Sequence, residues 1–165
     1  MDFLLRLRTA ALGADNSSRP TALHGADQLI CQQCAEMDRY LHEKQFIASL
    51  RQAFGTEAAA TDQWLMERGW EEDLLLELPH HWLEAFAEQT NDAIARRDSE
   101  TVKRHTEYMA RGYLQGGDEV KCFIDVGYAE HLLWRSDAAE KAWAWPQIAA
   151  PVRALYEEMW GASYD

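Results

Sequence analysis

The stretch GGDEVKCFIDVGYAEHLLW, from Gly116 to Trp134, decides the fold. Its two glycines end one helical segment, and Asp118 is a typical N-cap for the next. Beyond this cap, apolar residues recur at helical spacing on more than one face and leave mainly Lys121 and Asp125 polar. A helix that is apolar nearly all round is a buried helix. We therefore predict a buried helix at about residues 118–134, around which the remaining helices pack.

The residues of this helix divide into a core face and two candidates for function. The predicted core face contains Val120, Phe123, Ile124, Gly127, His131 and Trp134. Gly127 lowers helix stability, so we expect that it allows a neighbouring helix to approach closely. Glu130 lies at the border of the apolar face, where a carboxylate needs a partner. Asp125 and Glu130 are the functional candidates within the stretch.

The segments on either side are also typical of helices. Helical periodicity and stop signals predict helices over residues 27–54, 61–68, 80–97, 99–114, 138–145 and 152–160. Asp98 and Asp137 are predicted N-caps, and Pro79 fits the first turn of its helix. Strand-like runs are nearly absent. The sequence thus predicts an all-α fold, a single-domain bundle of antiparallel helical hairpins around the buried helix.

The N-terminal part differs from the rest of the chain. Met37-Asp38 repeats the opening Met1-Asp2, and the residues after it are more regular than the first 36. We interpret residues 1–36 as a helical N-terminal extension, peripheral to a helical domain formed by residues 37–165.

The charge balance predicts the class of partner. The chain has 165 residues, with 16 basic and 28 acidic side chains and a formal net charge of −12. Such a chain repels nucleic acid and anionic membranes, and it attracts cationic partners. We expect a basic protein as partner, and neither nucleic acid nor membrane.

The cysteines and the hydropathy predict the compartment. The chain has three cysteines, an odd number without the spacing of a disulfide framework, which is typical of a reducing compartment. Cys31 and Cys34 have C-x-x-C spacing, but a zinc site would need a second pair and a redox motif a preceding strand. No run approaches the roughly 18 apolar residues of a membrane span. We predict a cytoplasmic protein.

Two surfaces could bind a partner. Glu84, Glu88 and Asp92 follow one another at four-residue spacing, opposite an apolar stripe formed by Leu83, Phe86, Ala87, Thr90 and Ile94. This line of carboxylates is either a solvated helix face or a surface that a cationic ligand recognises. The aromatic-rich tail, with Trp143, Trp145, Tyr156 and Trp160, either covers the core or forms an exposed patch.

Short motifs resemble a known family. They are Phe46–Leu50, Leu78-Pro79-His80, Asp98-x-x-x-Val102, Gly117–Lys121, Ile124-Asp125-Val126 and Glu130-x-Leu132. Over residues 37–134 the chain resembles a domain-of-unknown-function family of small all-helical bacterial proteins, often encoded beside polymorphic toxins and considered immunity-protein-like. The resemblance implies a non-catalytic binding protein without a cofactor. Residues 1–36 and 138–165 lie outside it.

The favoured hypothesis is an immunity (antitoxin-like) protein that binds and blocks a toxin or basic effector domain. The residues that we assign to it are Glu84, Glu88 and Asp92 for electrostatic steering, Asp125 and Glu130 for the docking edge, and Trp143 and Trp145 as anchors. Two alternatives remain open. One is a small metal-dependent helical-bundle enzyme that uses His80, His105 and His131, and the other is an effector chaperone or adaptor.

Overall fold

A computed structural model describes residues 23–161, 163 and 164, and their side chains from residue 36 onward. The described part contains helices and turns and no strand, which confirms the predicted all-α class. The chain divides after Glu36 into two units, residues 1–36 and 37–165. Residues 1–22 lie outside the described part, so the peripheral role of the N-terminal extension stays a prediction.

Seven α-helices follow one another in the described part: α1 (Leu23–Ala53), α2 (Gly55–Met66), α3 (Pro79–Ala95), α4 (Ser99–Gln115), α5 (Asp118–Ile124), α6 (Ala138–Ala144) and α7 (Ala150–Trp160). Short 3-10 turns lie at Glu72–Leu74 and Trp145–Gln147. A π-helical segment, called the π segment below, runs from Asp125 to Ala129. None of the described helices is long and apolar enough to cross a lipid bilayer.

Local signals account for three of the helix ends. The side chain of Asp98 accepts a hydrogen bond from the backbone N–H of Thr101 at 3.1 Å and caps α4. Asp137 and Glu140 form a reciprocal capping box at the start of α6. Gly161 adopts a φ of +60° and ends α7. The predicted caps at Asp98 and Asp137 and the predicted end of α7 at residue 160 are confirmed. The prediction of Asp118 as an N-cap is wrong, because Asp118 is the first residue of α5 and the cap position is Gly117, which makes no side-chain cap hydrogen bond.

The prediction for α2 is wrong at its start. The helix begins at Gly55, six residues before the predicted start at residue 61. Thr61 is buried inside the helix, and its hydroxyl donates to the carbonyl oxygen of Glu57 at 2.8 Å. Its side chain satisfies a backbone group of its own helix, so it does not act as a cap.

The central element of the bundle is α3, and not the stretch at residues 118–134. Ten of its 17 residues are buried, including the whole predicted apolar stripe. It contacts α2, α4, α6 and the π segment. The stripe is wider than predicted because Trp82, Ala85 and Ala93 also face neighbouring elements. The three-residue connection to α4 makes the two helices antiparallel neighbours.

The predicted helix over residues 118–134 is interrupted. Regular α-helix ends at Ile124, and the N–H of Glu130 donates to the carbonyl of Asp125 at 3.0 Å, a five-residue step. The wider turn shifts the following side chains around the axis, so Tyr128 becomes fully buried. Trp134, predicted in the core, is 65% exposed.

The close approach predicted at Gly127 is confirmed. A Cβ atom at this position would lie 3.0 Å from Cδ2 of Leu83 on α3. A side chain at this position would force Leu83 to shift by a few tenths of an ångström, so glycine suits the close packing of the π segment against α3.

A buried polar network joins α3, α4 and the π segment. The hydroxyl of Thr90 lies 3.0 Å from Nδ1 of His105 and 3.0 Å from the hydroxyl of Tyr128. The His105 ring packs between Phe54 and Phe86, and its Nε2 has no hydrogen-bond partner among the described residues. Burial therefore lowers the pKa of His105 to about 4 and keeps the ring neutral.

Candidate protein-binding surface

A groove opens between α7 and the turn that follows the π segment. It has a volume of about 230 Å³ and is lined by Glu130, Leu132, Leu133, Trp134, Lys141, Tyr156 and Trp160. Trp134 and Trp160 stand at its edge, 65% and 45% exposed, with ring centroids 6.1 Å apart. Large apolar side chains that are exposed side by side are typical of an interaction surface.

Asn91 on α3 holds the turn that presents Trp134. Its Nδ2 donates to the carbonyl oxygen of His131 at 2.9 Å, and its Oδ1 accepts from the N–H of Leu133 at 2.8 Å. Leu133 is buried with a φ of +62°, a conformation that a leucine rarely adopts. The left-handed residue turns the chain, so Leu133 points inward and Trp134 points to solvent.

Carboxylates gather beside the groove. Asp125, Glu130 and Glu158 form an acidic edge, a term used below for these three residues. Partial burial, followed by the charges of Glu158 and Glu130, raises the pKa of Asp125. Within the part of the chain that the structure describes, none of the three carboxylates forms an ion pair. The acidic edge therefore carries negative charge without an ion-pair partner among the described residues, although Lys141 lines the same groove as Glu130.

Intramolecular contacts divide the line of carboxylates on α3 that was predicted to steer a partner, namely Glu84, Glu88 and Asp92. An oxygen of Glu84 lies 3.7 Å from Nε2 of His131, and an oxygen of Glu88 lies 3.6 Å from a guanidinium nitrogen of Arg135. Asp92 is exposed and forms no ion pair among the described residues. The turn after the π segment covers the first two carboxylates, so they do not form one open line with Asp92.

Among the described residues, the outward acids of α3 form no ion pair with the basic side chains of α4. The acids of α3 face the turn after the π segment, as described above. On α4, Arg104 pairs with Glu57 of α2. The two helices contact each other through buried apolar residues and through the hydrogen bond between Thr90 and His105.

The aromatic tail is largely core. Trp145 is 1% exposed and packs edge-on against Tyr156 and Tyr164, so its assignment as an exposed anchor is wrong. Trp143 is partly buried and packs against the core, with the guanidinium of Arg97 6.0 Å from its ring centroid. The exposed tryptophans are instead Trp134 and Trp160.

The structure does not bring the three candidate metal-binding histidines together. His80 Nε2 lies 3.1 Å from an oxygen of Glu43, His105 is buried against Thr90, and His131 faces α3. The described residues contain no group of three or more His, Cys, Asp or Glu side chains that could hold a metal ion. Cys31 and Cys34 lie in α1, and their side chains fall outside the described set.

Sequence reasoning missed two residues of this surface, Trp134 and Glu158. Trp134 was assigned to the core because a regular helix was assumed to continue to it. Its position directly before Arg135-Ser136-Asp137, a polar run that starts the next helix, is the signal that places it at an exposed helix end. Glu158 has no local signal, since its proximity to Asp125 depends on tertiary packing.

The comparisons with known proteins identify a family without an assigned function. Residues 33–161 match the model of DUF7674, a domain of unknown function. The match includes α6 and α7, which the motif resemblance had left outside. No curated protein and no solved structure matches the chain. Since the family model covers most of its length, the chain belongs to the DUF7674 family.

Proposed function

We propose that this protein is a non-catalytic immunity (antitoxin-like) protein of the cytoplasm. Its partner is a basic toxin domain, which it binds through the exposed Trp134–Trp160 pair and the acidic edge. The observation that carries the proposal is the combination of two solvent-exposed, touching indole rings with three carboxylates that have no basic partner among the described residues.

The exposed tryptophan pair and the acidic edge have complementary roles in the proposed binding. Tryptophan is among the residues most often found as binding hot spots, because it buries a large rigid surface at a low entropy cost. Carboxylates with no neighbouring cation attract a basic partner and accelerate encounter. The net charge of −12 adds to this attraction at long range.

The proposed mechanism of inhibition is steric. The exposed indoles and the acidic edge lie on one side of the molecule, around the turn after the π segment and α7. Binding on this side would cover the basic surface of the toxin. Blocking of this kind needs no reactive group in the inhibitor.

Protection of cells from the toxin tests the proposal. The product of the gene next to this one is expressed as the toxin, alone or with the wild-type protein, Trp134→Ala/Trp160→Ala, or Leu114→Ala. Leu114 is an exposed apolar residue on α4 and serves as the control. Each hot-spot tryptophan contributes about 2 kcal/mol or more, so we expect the double variant to bind at least hundredfold more weakly and to fail to protect.

Each outcome has a defined meaning. If the wild type gives no protection, the immunity function is wrong. If the double variant protects as well as Leu114→Ala does, the function stands but the surface is wrong. If the purified toxin binds and keeps full activity, the protein is a chaperone or adaptor.

A further inference from the structure

Tryptophans of this protein usually pair with arginines of the same chain. The guanidinium carbon lies 3.5 to 6.0 Å from the ring centroid in four such pairs: Arg68 on Trp64, Arg51 on Trp82, Arg97 on Trp143 and Arg153 on Trp145. Trp70 packs instead against the ring of His81, with centroids 5.0 Å apart and the ring planes tilted by 45°. Cations attracted to indole faces are thus a repeated feature of this structure.

Trp134 and Trp160 are the exceptions. Among the described residues, no lysine or arginine lies over either ring, and the two rings contact each other. Lys141 also lines the groove, but its ammonium lies 5.4 Å from the centroid of the Tyr164 ring. The described residues therefore leave both indole faces without a cation.

The negative charge needed to hold a cation is already present. Glu130 lines the same groove and has no ion pair in the described part of the chain. Asp125 and Glu158 add negative charge nearby, since Asp125 senses the charges of both Glu158 and Glu130. A cation that entered the groove would be attracted by the indole faces and by carboxylates.

The size of the groove suits one side chain. Its volume of about 230 Å³ is below the ≈300–1,000 Å³ that is usual for small-molecule sites. A planar guanidinium fits the chemistry better than an ammonium, because it stacks on aromatic faces, forms two hydrogen bonds to one carboxylate and is more weakly hydrated.

We propose that this groove takes an arginine side chain of the partner, stacked against Trp134 and Trp160 and hydrogen-bonded to Glu130. The inference rests on the proposed function, since it names the residue by which the toxin is held. It predicts that a basic partner presents an arginine, rather than only a diffuse positive surface, to this protein.

The test uses a short peptide in place of the unidentified partner. Acetyl-Gly-Arg-Gly-amide is titrated into the full-length protein while the indole N–H signals are followed by NMR. The signals of the two residues are assigned with Trp134→Phe and Trp160→Phe. The same peptide with citrulline, which has nearly the same shape but no charge, is the matched control, and a lysine peptide is the second.

We expect saturable shifts of the Trp134 and Trp160 signals with the arginine peptide, and at least tenfold weaker binding of the citrulline peptide. Glu130→Gln should also weaken arginine binding at least tenfold, whereas Asp92→Asn, which removes an exposed carboxylate elsewhere, should leave it within twofold. Equal binding of arginine and citrulline peptides, or no saturable shift, would overturn the arginine anchor.

The two proposals fail in different ways. If the arginine peptide does not bind while cells remain protected, the anchor is wrong and the immunity function stands. If the peptide binds as expected while the wild type protects no cells, the groove is an arginine site and the immunity function is wrong.

Discussion

Replacing Asn91 with alanine should destabilise the protein and release the turn that presents Trp134. Asn91 is 6% exposed, and its side chain makes both hydrogen bonds that hold the turn, to the carbonyl of His131 and the N–H of Leu133. Each buried backbone group left without a partner costs about 1–3 kcal/mol. Two such groups give an upper range of about 2–6 kcal/mol.

Relaxation of the turn should reduce this cost. A leucine in the left-handed region stores about 1–3 kcal/mol of strain, which is relieved when the turn opens. This relief offsets part of the cost of the two lost hydrogen bonds. We therefore expect Asn91→Ala to lower the free energy of unfolding by about 2–4 kcal/mol. The loss should be accompanied by faster hydrogen exchange at the N–H of Leu133.

The assay combines urea denaturation with hydrogen exchange at single residues. Gln89→Ala, a partly buried position on the same helix, is the control because the structure records no side-chain hydrogen bond for it. If Asn91→Ala and Gln89→Ala have free energies of unfolding within about 0.5 kcal/mol of each other, and Leu133 keeps its protection, Asn91 does not hold the turn.

Two further predictions concern the core. The pKa of His105 in the folded state is about 4, below its unfolded value, so the unfolded chain binds more protons. Stability should therefore fall by roughly 3 kcal/mol as the pH drops from about 6.5 to 4, and denaturation curves of His105→Gln should show a smaller fall. Gly112→Ala should lower the melting temperature, because its Cβ would lie 2.5 Å from a ring carbon of Phe46. Gly55→Ala, whose Cβ meets nothing within 4 Å, should not lower it.

Helix ends were predictable from sequence because their signals are local. Asp98 and Asp137 bond backbone N–H groups three residues away, and Gly161 adopts its positive φ without a tertiary partner. The core stripe of α3 was predictable for a similar reason, since its period is a property of the helix itself. The all-α class follows from these elements together.

The candidate surface was only partly predictable because it depends on contacts between distant residues. The hydrogen bond between Oδ1 of Asn91 and the N–H of Leu133 joins residues 42 positions apart, and no pattern within residues 118–134 predicts it. Periodicity assumes a constant helical step, and the five-residue step at Glu130 breaks that assumption. Trp134, which follows this step, was therefore assigned to the core although it is exposed.

The ion pairs of the α3 carboxylates could not be predicted from sequence for the same reason. Sequence spacing placed Glu84, Glu88 and Asp92 on one face of α3, and they do share it. Which of them stays unpaired depends on where Arg135 and His131 return to that face, 47 residues beyond their partners in each case. Net charge predicts the sign of a partner, whereas the place where it binds is determined by the carboxylates that the fold leaves unneutralised.

The turn at Leu133 combines two features that reduce stability. A buried leucine is held at positive φ, and the next residue exposes an indole ring that could have covered the core. An unstrained turn that buried Trp134 would gain about 2 kcal/mol from burial alone and would remove the strain. Asn91 nevertheless holds the strained form with two buried hydrogen bonds. We infer from this strain that the arrangement serves binding, since it presents Trp134 beside Trp160 and the acidic edge.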